Sequence, residues 1–219
     1  MDIQNIFEKF LQDEVNLDDT RYDRIKTAKD ALPKIIKNHE DFKDLYVDAI
    51  SQGSFRQKTI IKPVGKEAKF DLDLLIELKE KTEWDPRTYI SKLANAFRTS
   101  SRYKDLTDTD GNTRCVTIDY EGEFHVDLVP AIKLAGKYYI FNKITNKPEE
   151  TDGDGYAVWF ANQNESANGH LVNVVRLLKY LRDRNEDFNT KSIILTTLAG
   201  LAVPMGKHSN LPESFVTII

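Results

Sequence analysis

The chain has 219 residues, of which 40% are apolar and 30% charged. It is long enough to bury a sizeable core and too apolar for a disordered chain, and no apolar run approaches the roughly 18 residues of a membrane span. A formal charge of −4 disfavours binding of long nucleic acid, which needs a concentrated basic surface, and a single cysteine, Cys115, excludes a disulfide framework and a cysteine-rich zinc site. The first residues, MDIQNIFEKF, lack a basic start followed by an apolar stretch, so no signal peptide is visible and the chain reads as cytoplasmic.

Taken in order, Ile3, Ile6, Phe7, Phe10 and Leu11 fall at helical spacing. A second helix is predicted from about Asp18 to Asn38, with Ile25, Ala28, Leu32, Ile35 and Ile36 on one side and Pro33 kinking or breaking it. Leu45 to Ile50 leads into Gly53-Ser54 as a helix end or a strand. Thr59 to Lys62 and Lys69 to Leu78 read as strands. Asp85-Pro86 is a capping acid followed by proline at the first helical position, and Ile90, Leu93, Ala94 and Phe97 continue that helix. Turns at Asp110-Gly111-Asn112 and Glu121-Gly122 separate strands from Arg114 to Tyr120 and from Glu123 to Val129. Lys137 to Phe141 is a further strand after the turn at Ala135-Gly136, and residues 142–155 are expected to form a long polar loop. From about Ser166 a stripe of Leu171, Val174, Val175, Leu178 and Leu181 marks a helix, and another is expected from Thr190 to Val203. The final LPESFVTII looks like the opening of an amphipathic helix with Phe215, Ile218 and Ile219 buried, which reads as a helical region cut short.

Chemistry enters at Phe70-Asp71-Leu72-Asp73-Leu74. On a strand Asp71 and Asp73 share one face, about 7 Å apart, while Phe70, Leu72 and Leu74 occupy the other. Two further Asp-x-Asp pairs, Asp108/Asp110 and Asp152/Asp154, lie in glycine-containing turns and read as turn residues. The first pair differs because it interrupts an apolar strand, where an unpaired carboxylate is costly. Asp127 interrupts Phe124-His125-Val126-Asp127-Leu128-Val129 in the same way. Carboxylates from neighbouring strands suit oxygen-rich ligation of two magnesium ions, the arrangement that clamps the attacking and leaving oxygens of a phosphoryl displacement. The same acids are equally compatible with the solvent face of an amphipathic sheet. His125 reads as a structural neighbour, Trp84 and Trp159 as packing residues, and Tyr138 and Tyr139 as hairpin surface. Upstream, Gly53-Ser54 with Arg56 and Lys58 nearby can present backbone amides and a hydroxyl to a phosphate, or be an ordinary turn. On the later helix, Arg176 and Lys179 are three apart and therefore neighbours.

Gly53-Ser54, then Asp71-x-Asp73 on a strand, then Asp127 on a later strand, resembles the pattern of the DNA polymerase β-like nucleotidyltransferases. QGSFRQKTIIKP, FDLDLLIEL, FHVDLVPA, VVRLLKYLRD and TKSIILTTLAG together resemble, over residues 45 to 205, the bacterial cGAS/DncV-like nucleotidyltransferases (CD-NTases) of anti-phage signalling. The resemblance implies an α+β fold: a nucleotidyltransferase lobe with a mixed sheet at residues 1–165, and at 166–219 the start of a helical lobe that is C-terminally truncated. It implies an enzyme joining nucleoside triphosphates, ATP among them, into a cyclic di- or trinucleotide messenger with release of pyrophosphate. Linear products, modification of a tRNA, protein or small molecule, and a non-catalytic nucleotide-binding module are the alternatives. In this resemblance Gly53 and Ser54 hold the donor triphosphate, Asp71, Asp73 and Asp127 are catalytic and bind two magnesium ions, with manganese as an alternative, and Lys179 and Ser192 contact the donor phosphates. A regulatory protein of a defence operon is an implied partner; long nucleic acid and membrane are not, and the zinc insertion of the animal DNA sensor is absent.

Overall fold

The computed structural model describes residues 2–65, 69–120, 124–185 and 188–219; the turn expected at Glu121-Gly122 lies outside the described residues. Two compact units emerge, interleaved along the chain, where the sequence suggests one boundary. The first takes in the described parts of Met1–Asp19, Gly53–Phe70 and Asp154–Ile219, the second Thr20–Gln52 and Asp71–Gly153.

The second unit is built on a sheet. Its strands are β1 (Tyr46–Ser51), β2 (Phe70–Leu78), β3 (Thr107–Asp108), β4 (Val116–Tyr120), β5 (Phe124–Leu134), β6 (Lys137–Asn142) and β7 (Lys147–Thr151). They are ordered β1-β2-β5-β4-β3, with β6 on β5 and β7 on β6. Two helices accompany them. The first, α2 (Asp19–Asn38), buries Ile25, Ala28, Leu32 and Ile36, whereas Ile35 is only half-buried. It runs unbroken through Pro33, which forfeits one ladder hydrogen bond without ending the helix. The other is α4 (Pro86–Arg98), which starts as expected: Asp85 accepts the Thr88 amide and Pro86 takes the first turn. It packs against β3 to β6. Its Tyr89 stacks on Phe141 of β6 at 4.1 Å between centroids, and Trp84 meets Tyr89 edge-on.

The expected loop over 142–155 is corrected by the structure. Asn142 folds the turn by accepting the amides of Ile144 and Thr145, and β7 then returns along β6, from Asn142↔Lys147 to Tyr138↔Thr151. The strand is polar on both faces, so alternation does not betray it. Tyr138 is not hairpin surface: it is buried with Leu75 and Ala131, and its hydroxyl donates to Glu77 at 2.8 Å.

The first unit is helical. It contains α1 (Ile3–Phe10) continuing into a π-helical turn at Leu11–Val15, the single turn α3 (Gly53–Arg56), α5 (Gly153–Ser166), α6 (Leu171–Arg184), α7 (Ser192–Ala202) and α8 (Leu211–Ile218). Leu11, Val15, Phe160, Leu171, Val174, Val175, Ala199, Val203, Leu211 and Ile218 share one core. The strand expected at Thr59 to Lys62 is not a strand. That segment has no regular secondary structure and buries Ile60 and Ile61, and the Lys62 amide bonds the Val15 carbonyl instead of a sheet neighbour. Helix α5 begins earlier than the periodicity suggests, because Gly153 and Gly155 read as loop and only Phe160 is deeply buried on it. In α8, Ile218 is buried and Phe215 packs on the core, but Ile219 is 70% exposed rather than buried. No helix among the described residues is long and apolar enough to cross a membrane.

Gly200, inside α7, meets the Trp159 indole of α5. A Cβ there would lie 2.6 Å from the ring. Gly200→Ala is therefore expected to lower stability, against the gain of about 1 kcal/mol that alanine has over glycine in a helix interior. Urea unfolding of both proteins checks the sign.

Candidate active site

Alternation in β2 is clean at its start: Phe70, Leu72 and Leu74 are buried, Asp71 is exposed and Asp73 half-buried. In β5, Phe124, Val126 and Leu128 are buried while His125, Asp127 and Val129 are half-buried. The two strands are neighbours. Their acid-bearing faces coincide, because Leu75, two residues from Asp73, packs against Ala131, four residues from Asp127. One face of the sheet thus carries Asp71, Asp73 and Asp127 at one end and the apolar cluster Leu75, Ala131 and Tyr138 at the other. The opposite face takes Tyr89 and the rest of α4, since Phe141 and Ile140 of β6 point to opposite sides.

Asp127 is held by a relay that the sequence did not single out. Thr117 lies directly across from it on β4, and its hydroxyl donates to Asp127 Oδ1. Asn112 Nδ2 in turn donates to Thr117 Oγ1 at 2.6 Å. A hydroxyl between Val116 and Ile118 in a buried strand was the available signal. Beside this pair, burial pushes the Cys115 thiol up to about 12, and the carboxylates of Asp127 and Asp73 add to the shift. One small group thus senses acids from both strands. As they stand, no three His, Cys, Asp or Glu side chains among the described residues are gathered into a metal cluster. The donor chemistry nevertheless fits magnesium: hard carboxylate oxygens from neighbouring strands, with an acidic field that a cation would offset.

The other sequence candidates belong to the first unit. Gly53 has φ +57°, the left-handed region that glycine tolerates, and opens the α3 turn that carries Ser54. The Thr59 amide closes back on the Ser54 carbonyl at 2.8 Å. Helix α6 grips this turn twice. Arg176 Nε donates to the Lys58 carbonyl at 2.8 Å, and Lys179 Nζ donates to Thr59 O and Oγ1 at 3.0 and 3.1 Å. Lys179 is thereby buried, at 5% exposure, beside the turn that bears Ser54. Arg56, in the turn, pairs with Asp154. Ser192 opens α7 and its hydroxyl accepts from Arg182 Nη1 at 2.8 Å. Asp108 ends β3 and accepts the Asp110 amide, and Asp154 lies in α5 rather than in the turn expected for it.

The family model of the Second Messenger Oligonucleotide or Dinucleotide Synthetase domain matches residues 1–164. The chain belongs to that family. A curated relative in this class, a c-di-GMP synthase of Roseivirga ehrenbergii, is 30% identical over 234 aligned positions, which cover 93% of this chain and 61% of the relative. The chain therefore spans about three-fifths of that relative's length. Solved structures share the fold at lower identity. Vibrio cholerae DncV cyclic AMP-GMP synthase with nonhydrolysable GTP superposes with a TM-score of 0.80 at 15% identity, over 95% of this chain and 74% of DncV. Bradyrhizobium diazoefficiens CdnG in complex with GTP gives 0.78 at 16%, over 99% and 75%. Escherichia coli MS115-1 CdnC, solved with a HORMA protein, gives 0.71 at 21%, over 96% and 68%. The cGAS/DncV-like α+β nucleotidyltransferase fold expected from the sequence is thus the fold of this synthetase-family chain.

The Cys115 thiol yields a pH-dependent readout of the acidic locus. With a thiol at about 12, the reactive thiolate is scarce at pH 8, so alkylation of folded protein should be slow and rise about tenfold per pH unit. In magnesium-free buffer, Asp127→Asn removes a negative neighbour, lowers the thiol's pKa and should speed alkylation by iodoacetamide, read by mass spectrometry.

Proposed function

We infer that this chain carries the catalytic centre of a cyclic oligonucleotide synthase. It joins nucleoside triphosphates into a cyclic di- or trinucleotide messenger and releases pyrophosphate. The observation that carries this reading is the shared sheet face of Asp71, Asp73 and Asp127 in a chain of the synthetase family. The printed activities of relatives support it: a c-di-GMP synthase and a cyclic AMP-GMP synthase.

In this mechanism the amides of the Gly53-Ser54 turn and the Ser54 hydroxyl hold the donor triphosphate. Asp127, oriented by Thr117 and Asn112, receives the proton of the attacking sugar hydroxyl. The hydroxyl oxygen bonds to the α-phosphorus as the bond to pyrophosphate breaks. Lys179, tied to Thr59, stabilises the Ser54 turn and offsets charge on the leaving group; Ser192 is a further phosphate contact. Asp71, Asp73 and Asp127 would hold magnesium, or manganese in its place; when bound, two such ions supply charge compensation to the attacking and leaving oxygens. Repetition on the linear intermediate closes the ring.

The same reading extends to ATP as one substrate, the cytoplasm as the site of action, anti-phage defence as the setting and a regulatory protein as partner. For the last, CdnC in complex with a HORMA protein is the supporting likeness.

Incubation with labelled triphosphates and magnesium should yield pyrophosphate and a phosphatase-resistant labelled product. Asp73→Asn should reduce pyrophosphate release at least a hundredfold, on the order seen when one charge-stabilising group is lost. Retained turnover in that variant refutes the assignment, and label lost to phosphatase indicates a linear product. Thr117→Val, which removes the hold on Asp127 but preserves shape, should lower kcat about tenfold with KM little changed, as expected for a group that acts on general-base positioning.

A further inference from the structure

Across the sheet from the three aspartates, α4 and the β6–β7 turn border an open pocket of about 550 Å³. That is within the usual range for small-molecule sites, about 300–1,000 Å³. Its helical wall is one stripe of α4: Arg87, Ile90, Ser91, Ala94 and Arg98. Thr109, Lys143 and Ile144 complete it.

Its charge distribution is unusual. Lys143 Nζ donates to the Thr109 carbonyl, and Arg98 Nη2 donates to Thr109 Oγ1 at 3.1 Å, so two cations converge on one residue. Arg87 Nε donates to the Lys143 carbonyl at 2.8 Å, and Nη2 to that of Ile144 at 3.3 Å. All three cations are thus anchored by neutral oxygens. Among the described residues none pairs with a carboxylate. The nearby acids are engaged elsewhere. Asp85 caps α4, accepts from Asn146 and only weakly feels Arg87, and Asp108 accepts the Asp110 amide. Arg98 and Lys143, held together at Thr109, repel one another, and an anion relieves that repulsion. Between them lies an apolar floor of buried Ile90 and Ala94, with Ile144 exposed at the rim.

We propose that this cavity is a second nucleotide site, separate from the carboxylate face. A phosphate sits between Arg98 and Lys143 at Thr109, and the flat nucleoside lies over Ile90, Ala94 and Ile144. The choice of a nucleotide, among phosphate-bearing molecules of this size, rests on the function proposed above. The site needs no metal, because its cations do the neutralising.

Guanosine monophosphate, titrated calorimetrically into the whole protein in EDTA, is the probe. The wild type should bind it, and inorganic phosphate should compete. Arg98→Gln/Lys143→Gln, which keeps hydrogen-bond donors while removing both charges, should weaken binding about tenfold or more, as expected for loss of charge-assisted hydrogen bonds. Lys143→Arg, which keeps the charge in an otherwise wild-type pocket, should retain affinity, and Asp73→Asn should leave binding unchanged. Absence of millimolar binding, equal affinity in the double glutamine variant, or guanosine binding as well as its monophosphate would each overturn the proposal. Turnover is not the readout. If Asp73→Asn keeps its activity the proposed reaction fails, while the cavity stands or falls on the binding curves.

Discussion

Period-two alternation in two neighbouring strands is the constraint on which the rest depends. Leu72 and Leu74 in β2, with Val126 and Leu128 in β5, go into the core and anchor both strands there. Asp71, Asp73 and Asp127 are then obliged to emerge on the other side. A slip of one residue in either strand would bury a carboxylate and expose a leucine, so packing of the hydrophobic face enforces the chemical face. The neighbouring Cys115 thiol is kept protonated chiefly by its burial, and the carboxylates of Asp127 and Asp73 add to the shift.

Much of this could be read in advance where one physical signal dominated. Asp85-Pro86 specified a helix start because cap and proline act locally. The aspartates stood out because a charged residue inside an apolar strand demands a reason. Legibility failed where the signal is non-local. The pairing of β7 with β6 depends on Asn142 folding a turn, in a segment too polar to show alternation. Thr59 to Lys62 have strand-like side chains, yet the Lys62 amide bonds the carbonyl of Val15, in a π-helical turn far earlier in the sequence, rather than a sheet neighbour. Pro33 warned of a break that the surrounding packing of α2 overrode. In the site, Thr117 was hidden because a threonine in a strand is unremarkable until its cross-strand partner is known.

Lys179 illustrates how the reading of a single residue changes with its surroundings. From the sequence it was one of two basic neighbours bordering an apolar stripe. In the structure both neighbours hold the same turn, Arg176 through Lys58 and Lys179 through Thr59. An ammonium buried against a carbonyl and a hydroxyl stays useful only if it sits beside something negative or supports a shape that must not move. The Ser54 turn supplies the second reason directly, and a bound triphosphate would supply the first.

The interleaving of the two units has a consequence for how the molecule is made. The chain passes from one unit to the other four times, at 19/20, 52/53, 70/71 and 153/154. The sheet-bearing unit has all its segments once Gly153 has been synthesised, whereas the helical unit still lacks its largest piece. During translation the early segments Met1–Asp19 and Gly53–Phe70 must therefore wait, with Leu11, Val15 and Ile61 unsheltered, until α5 to α8 leave the ribosome. No single cut in the gene can release either unit intact.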